Sequence, residues 1–230
     1  MTDFSQFTQN MDWMGLLETV IRMVAVLLCL TVHEVSHGLA AYALGDPTAK
    51  EQHRLSLNPL RHLDLMGTVM MLIAGFGWAK PVPVDARYFK HPKTGMAVTA
   101  LAGPVSNFIF AYISAVFYTL VYGLAMTGRV TGNLAVGLLQ FFGTLLVLNI
   151  GLGLFNLIPF PPLDGSKVVE GFLPDKVTYT LWKYERIGML ILMGLLLFGL
   201  FDVFSTPLTI ARNWVMDLLL SGSGWVLKLI

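Results

Sequence analysis

Residues 15–44 read GLLETVIRMVAVLLCLTVHEVSHGLAAYAL, and a run of that kind leaves the chain few choices. A segment that crosses hydrocarbon needs about 20 mostly apolar residues. It must also satisfy every backbone N–H and C=O within itself, which a helix does. Residues 96–126 and 135–158 are two further runs of sufficient length, and 187–204 lies at the lower limit. Residues 65–78, LMGTVMMLIAGFGW, and 207–220 are only fourteen residues each, a length more typical of re-entrant or interfacial segments; the second carries Arg212 and Asp217 and could span, lie in the interface or pack on a partner. Only 13% of the residues are charged, against about 25% in soluble domains. The sequence therefore predicts an all-α polytopic membrane protein with about five to six hydrophobic segments.

Other composition features exclude function classes. A net charge of +1 provides no basic field for nucleic acid, and the apolar runs make the lipid bilayer the expected partner. Cys29 is the single cysteine, which rules out an internal disulfide or a CxxC metal site. No internal repeat and no separate soluble module interrupts the pattern. The expectation is one domain over 1–230, with a catalytic core at about 15–170 and C-terminal helices over 171–230.

The status of residues 65–78 decides the topology. If they do not cross, Lys50, Arg54, Arg61, Lys80, Arg87, Lys90, Lys93, Lys167, Lys176, Lys183 and Arg186 gather on one side, and the other side keeps little beyond Arg129. The positive-inside rule names the rich side cytoplasmic. If they do cross, the basic residues divide without bias. The non-crossing reading is preferred, which makes 65–78 a segment covered by protein or lining a cavity. VTYTLWKYER, over 177–186, reads as an amphipathic stretch at the headgroups.

The chemistry sits at the end of the first run. His33-Glu34-Val35-Ser36-His37 is an HExxH pattern. On a helix, positions i and i+4 share a face, so both imidazoles can reach one ion with Glu34 beside it. The pattern alone is common, and a helix end that meets headgroup water would also accommodate these residues. Ionisable groups beside an apolar helix are costly, however, and three on one face mark a functional site. A catalytic zinc site usually has three protein ligands and an open position. Position 43 is alanine, and Asp46 and Glu51 lie beyond the helix end. Asp164 is the better candidate: in NLIPFPPLDG, three prolines stop the third long run just before it. In the non-crossing topology that run ends on the same side as HExxH.

HEVSHGLAAYALGDPTAK, RLSLNPLRHLD, GWAKPVPVD, LAGPVSN and FNLIPFPPLDGSKV occur in this order. Together they resemble the site-2 protease family of intramembrane zinc metalloproteases, in its compact bacterial branch without PDZ or CBS domains. The resemblance implies one Zn2+ held by His33, His37 and Asp164, with Glu34 as general base. It implies cleavage in or near transmembrane segments of protein substrates, close to the cytoplasmic face of the cell (inner) membrane. It also implies that 65–78 is a re-entrant β-hairpin-like element able to pair with an unwound substrate. Asn156 and Asn107 resemble family positions where an amide could bind the oxyanion or the substrate strand, although helix–helix hydrogen bonding would also explain them. The EQHRLSLNP stretch carries His53 where a glycine is expected before the arginine. His53, His62 and Asp64 could gate access, form a second metal site, or simply face headgroups. The alternative functions are a metal-ion transporter, which should carry a second polar helix, and a pseudoprotease that binds helices without needing Glu34.

Overall fold

The computed structural model describes residues 13–74, 77–198 and 202–230. Among the described residues, three helices are long and apolar enough to cross a bilayer: Gly15–Ala43, Pro92–Met126 and Gly132–Asn156. The first belongs to α1 (Trp13–Ala43). The others are α3 (Pro92–Met126), which follows the short α2 (Leu65–Ala74), and α4 (Gly132–Asn156). Next come α5 (Asp164–Glu170), α6 (Asp175–Leu197) and α7 (Asp202–Ser223). The described residues are thus helical without strands, and the three candidate spans coincide with the three long runs of the sequence, while the count of five to six hydrophobic segments is not confirmed. The marginal run 187–204 is divided between α6 and α7, with 199–201 outside the described residues.

The three spans pack on small side chains. Ala25, Cys29, Ala111 and Ala115 are buried where α1, α3 and α4 meet, beside Leu145, Leu146 and Ile150. Without a hydrophobic force between helices in lipid, close backbone approach and interhelical hydrogen bonds hold a bundle together. Leu16, Leu17, Val20, Met23 and Val24 of α1 point outward, as a lipid-facing stripe should. The last run does not stand apart. Val215, Met216, Leu219 and Leu220 of α7 pack on the Ala111–Ile150 cluster. Thr119 and Ser223 share a buried 2.7 Å hydrogen bond.

The segment after HExxH differs from expectation. Residues 65–74 form α2, a helix, in place of a β-hairpin-like element, and 75 and 76 lie outside the described residues. Leu, Met and Ala are good helix formers, and at membrane depth a helix satisfies backbone groups that a lone hairpin edge would leave open. At about 1.5 Å per residue this helix is about 15 Å long, half the hydrocarbon thickness. Its ends return to one place. Leu63 and Ala79 form an isolated antiparallel bridge, and Lys80 N–H donates to His62 O at 2.8 Å. Asp64 caps the helix through Gly67 N at 2.8 Å. Gly67 is required here, because a Cβ would collide with the backbone of Trp78 on the returning chain. The two ends of the excursion thus lie side by side.

Two local features explain sequence details. His53 has φ 53°, in the left-handed region. Its N–H donates to Lys50 O and that of Arg54 to Ala49 O, closing a Schellman turn after the helical turn Thr48–Glu51. Glycine is favoured at that position, which accounts for the pattern that His53 departs from. His62 is 2% exposed and bonds to Ser56 O at 2.7 Å. His53, His62 and Asp64 therefore serve turns and a cap in this loop.

Candidate active site

Three elements build the site. The last turns of α1 carry His33, Glu34 and His37 on one helix. α3 passes directly against the imidazoles: a Cβ at Gly103 would overlap both rings. Pro104 follows within the same helix. Asp164 arrives from the end of α4. Pro159, Pro161 and Pro162 stop the helix after Asn156, and the turn is closed by Leu163 N–H to Phe160 O at 2.9 Å. Gly165 lets this turn fold back, since a Cβ there would collide with Leu157 O. Asp164 then opens α5.

The two imidazoles are fixed from behind. His37 Nδ1 donates to Thr99 O at 2.7 Å, and a carbonyl can only accept. His33 Nδ1 lies 2.5 Å from Asn107 Oδ1. The Asn107 amide nitrogen donates to Asn149 Oδ1 at 2.8 Å, and Asn149 donates in turn to Leu145 O at 2.8 Å. That chain leaves Asn107 Oδ1 as acceptor and His33 Nδ1 as donor, so each ring turns an Nε2 lone pair to the front. The two Nε2 atoms are 3.0 Å apart. Asp164 Oδ2 is 3.1 Å from one and 3.3 Å from the other.

Three lone-pair atoms converge here with no proton of their own to share. Asp164 Oδ2 is buried without a hydrogen-bond partner, a costly state for a carboxylate oxygen unless a cation completes it. Among the described residues, His33, His37 and Asp164 are the group able to hold a metal ion. Two imidazoles and one carboxylate form a donor set that suits zinc. The residues present therefore fit the metal.

Glu34 lies beside this cluster, against the segment over 80–85. Its Oε2 accepts from Val82 N–H at 2.9 Å. Both belong to a cavity of about 370 Å3 lined by His33, His37, Asp164, Thr99, Asn156, Pro162 and the edge Pro81, Val82 and Val84.

The structure brings together five of the six residues expected at the site: His33, Glu34, His37 and Asp164, with Asn156 on the same cavity wall. The Asn156 amide is tied to Leu152 O at 3.0 Å. Asn107 does not face it. This residue is fully buried behind His33, where it holds the ring and cannot reach an oxyanion. Thr99, Asn149 and Val82 were missed. Thr99 and Val82 act through backbone atoms, which have no signature in side-chain patterns. Asn149 was findable, because an amide in the middle of an apolar span needs a partner.

Known proteins agree with this construction. Residues 21–199 match the model of peptidase family M50. The chain is 41% identical over 207 residues to "Putative zinc metalloprotease YwhC" of Bacillus subtilis, covering 90% of this chain and 89% of that protein. It is 30% identical over 195 residues to "Putative zinc metalloprotease Rip2" of Mycolicibacterium smegmatis, covering 81% of this chain and 70% of that one. No solved structure matches. A donor set that fits zinc, a carboxylate beside it and the extent of these matches lead to one conclusion: the chain belongs to peptidase family M50 and is a membrane zinc metalloprotease.

Proposed function

We propose that this protein hydrolyses peptide bonds in or near transmembrane segments of other membrane proteins, close to the cytoplasmic face of the cell (inner) membrane. The observation that carries the reading is the convergence of His33 Nε2, His37 Nε2 and Asp164 Oδ2 within 3.3 Å at the ends of two apolar helices, with Glu34 alongside. His33, His37 and Asp164 are the metal ligands in this reading, and residues 1–230 act as one unit. The non-crossing excursion between Leu63 and Ala79 supports placing the basic loops, and with them the site, on the cytoplasmic side.

Zinc held by these three residues supplies a Lewis acid that activates water and polarises a carbonyl. Glu34 acts as the base. It lies within the cavity, takes a proton from water there, and later gives it to the leaving amine. Val82 N–H orients the Glu34 carboxylate and leaves its second oxygen for that proton. Asn107 and Asn149 hold His33 in the tautomer that presents Nε2, and Thr99 O does the same for His37. Asn156 uses one amide hydrogen on Leu152 O and has a second to offer a substrate carbonyl. A substrate helix must unwind before its carbonyls can reach such groups, because they are already hydrogen-bonded within the helix.

The test compares wild type with Glu34→Gln and Asp164→Asn for zinc content and for cleavage of a transmembrane substrate in proteoliposomes. The first variant should keep zinc and lose cleavage, while the second should lose both. Cleavage by Glu34→Gln at the wild-type rate would remove the proposed base.

A further inference from the structure

The extended segment over 80–85, KPVPVD, positions Glu34 and has little secondary structure to hold it. Its pairing with the chain before α2 stops at the Leu63–Ala79 bridge and the Lys80 N to His62 O bond. Yet Val82 N–H must arrive at a carboxylate oxygen within hydrogen-bond distance. Two buried side chains straddle it. On one side Arg54, 8% exposed, donates from Nη2 to Lys80 O at 2.7 Å. On the other, Asp46 has no exposed surface at all. Its Oδ2 accepts from Asp85 N–H at 2.7 Å, while Oδ1 accepts from Thr48 N–H at 2.9 Å and from the Thr48 hydroxyl at 2.5 Å.

Asp46 stands three residues after the end of the helix that carries Glu34, joined to it through Gly45 at φ 105°. A closed ring results: Glu34 along α1 to Asp46, across to Asp85, back along the chain to Val82, and across to Glu34. An extended chain advances about 3.3 Å per residue, so the stretch from Val82 to Asp85 is nearly inextensible once pinned. The sequence makes the register strict. Positions 81 and 83 are prolines, which have no N–H. A slip by one residue in either direction would place a proline nitrogen before Glu34 and leave its Oε2 with no donor.

We propose that Asp46 is a positioning residue for the proteolytic reaction: its carboxylate fixes the register of residues 80–85 so that Val82 N–H, and no neighbour, orients Glu34. Arg54 supports the same segment from the other end. The inference rests on the metalloprotease reading for its effect on turnover, but the clamp itself can be tested without turnover.

The experiment uses the full-length zinc-loaded protein in nanodiscs and compares wild type, Asp46→Asn, Val82→Pro and the double variant. Asparagine keeps an oxygen for Thr48 and replaces the acceptor facing Asp85 with an NH2 group. The first readout is hydrogen–deuterium exchange: the Val82 and Asp85 amides should be protected in wild type and exposed in Asp46→Asn. The second is zinc content with steady-state kinetics on a transmembrane substrate. Asp46→Asn should keep one zinc per chain and an unchanged KM, while kcat falls about 10–100-fold, the range expected for a misplaced catalytic group. Val82→Pro should fall by a similar factor, and the double variant no further, because both remove the same hydrogen bond. Unchanged Val82 protection in Asp46→Asn would overturn the proposal. So would wild-type kcat, multiplicative losses in the double variant, or activity that falls only in proportion to lost zinc. If zinc-loaded wild type cleaves nothing, the protease reading fails, and the exchange data still decide whether Asp46 sets the register.

Discussion

Replacing Asn107 with alanine separates two roles that the structure assigns to one amide. Asn107 accepts from His33 Nδ1 at 2.5 Å and donates to Asn149 at 2.8 Å, joining α1, α3 and α4. As helix glue it should be worth little. Interhelical polar bonds in membranes average about 0.6 kcal/mol and reach about 1.7 kcal/mol. Adding the unpartnered His33 N–H and Asn149 oxygen, the loss of stability should be about 1–2 kcal/mol. As the partner of a metal-binding imidazole it should matter more: such groups change metal affinity by about 10–100-fold, or about 1.4–2.7 kcal/mol. Chelator competition gives zinc affinity, and thermal unfolding in nanodiscs with and without zinc gives stability. Asn107→Ala should weaken zinc by that factor and shrink the zinc-dependent rise in Tm. Asn149→Ala leaves the acceptor for His33 in place and should weaken zinc by about tenfold or less. If Asn107→Ala lost stability but kept wild-type zinc affinity, the tautomer argument would be refuted and Asn107 would be helix glue alone.

Three further outcomes are expected. Gly103→Ala forces a methyl into both imidazoles and should cost about 1–3 kcal/mol of stability together with measurable loss of bound zinc; retained zinc would show that α3 can move aside. His53→Gly relieves a left-handed residue and should raise unfolding stability by about 1 kcal/mol with cleavage unaffected. Lys93, bonded to Asp175 at 2.8 Å, holds that carboxyl below the usual carboxylate range. This contribution is present above the ordinary carboxylate range and is lost as pH falls through the lowered value. Acid sensitivity below that range should therefore be blunted in Lys93→Met and in high salt, as an exposed pair requires.

The parts of the site that were legible in sequence are those made of side chains with few innocent uses in a membrane. HExxH gave three of them, and a proline-stopped helix end gave Asp164, because cost and geometry both pointed there. Asn107 was identified as a residue of interest, but its direction was not readable: an amide on an apolar helix says only that a partner exists. The hairpin-like element over residues 65–78 is implied by the family resemblance, yet 65–74 form a helix; a short apolar run does not distinguish strand from helix by periodicity, so the residues themselves offered no check. Val82 and Thr99 contribute an N–H and a C=O that any residue could supply, so their positions depend on tertiary closure alone. Asp46 belongs to the same class, since its meaning emerges only when Asp85 is beside it.

The meeting of Leu63 and Ala79 has a consequence for how such proteins can diversify. The chain rejoins at this bridge before Val82, so the length of the excursion need not alter where Val82 N–H meets Glu34. Lengthening a closed loop is inexpensive, with each doubling costing only about 0.6 kcal/mol. The excursion can therefore grow, shorten or change its apolar face while Glu34, His33, His37 and Asp164 keep their positions. It is the place in this architecture where differences between relatives can accumulate without retuning the chemistry.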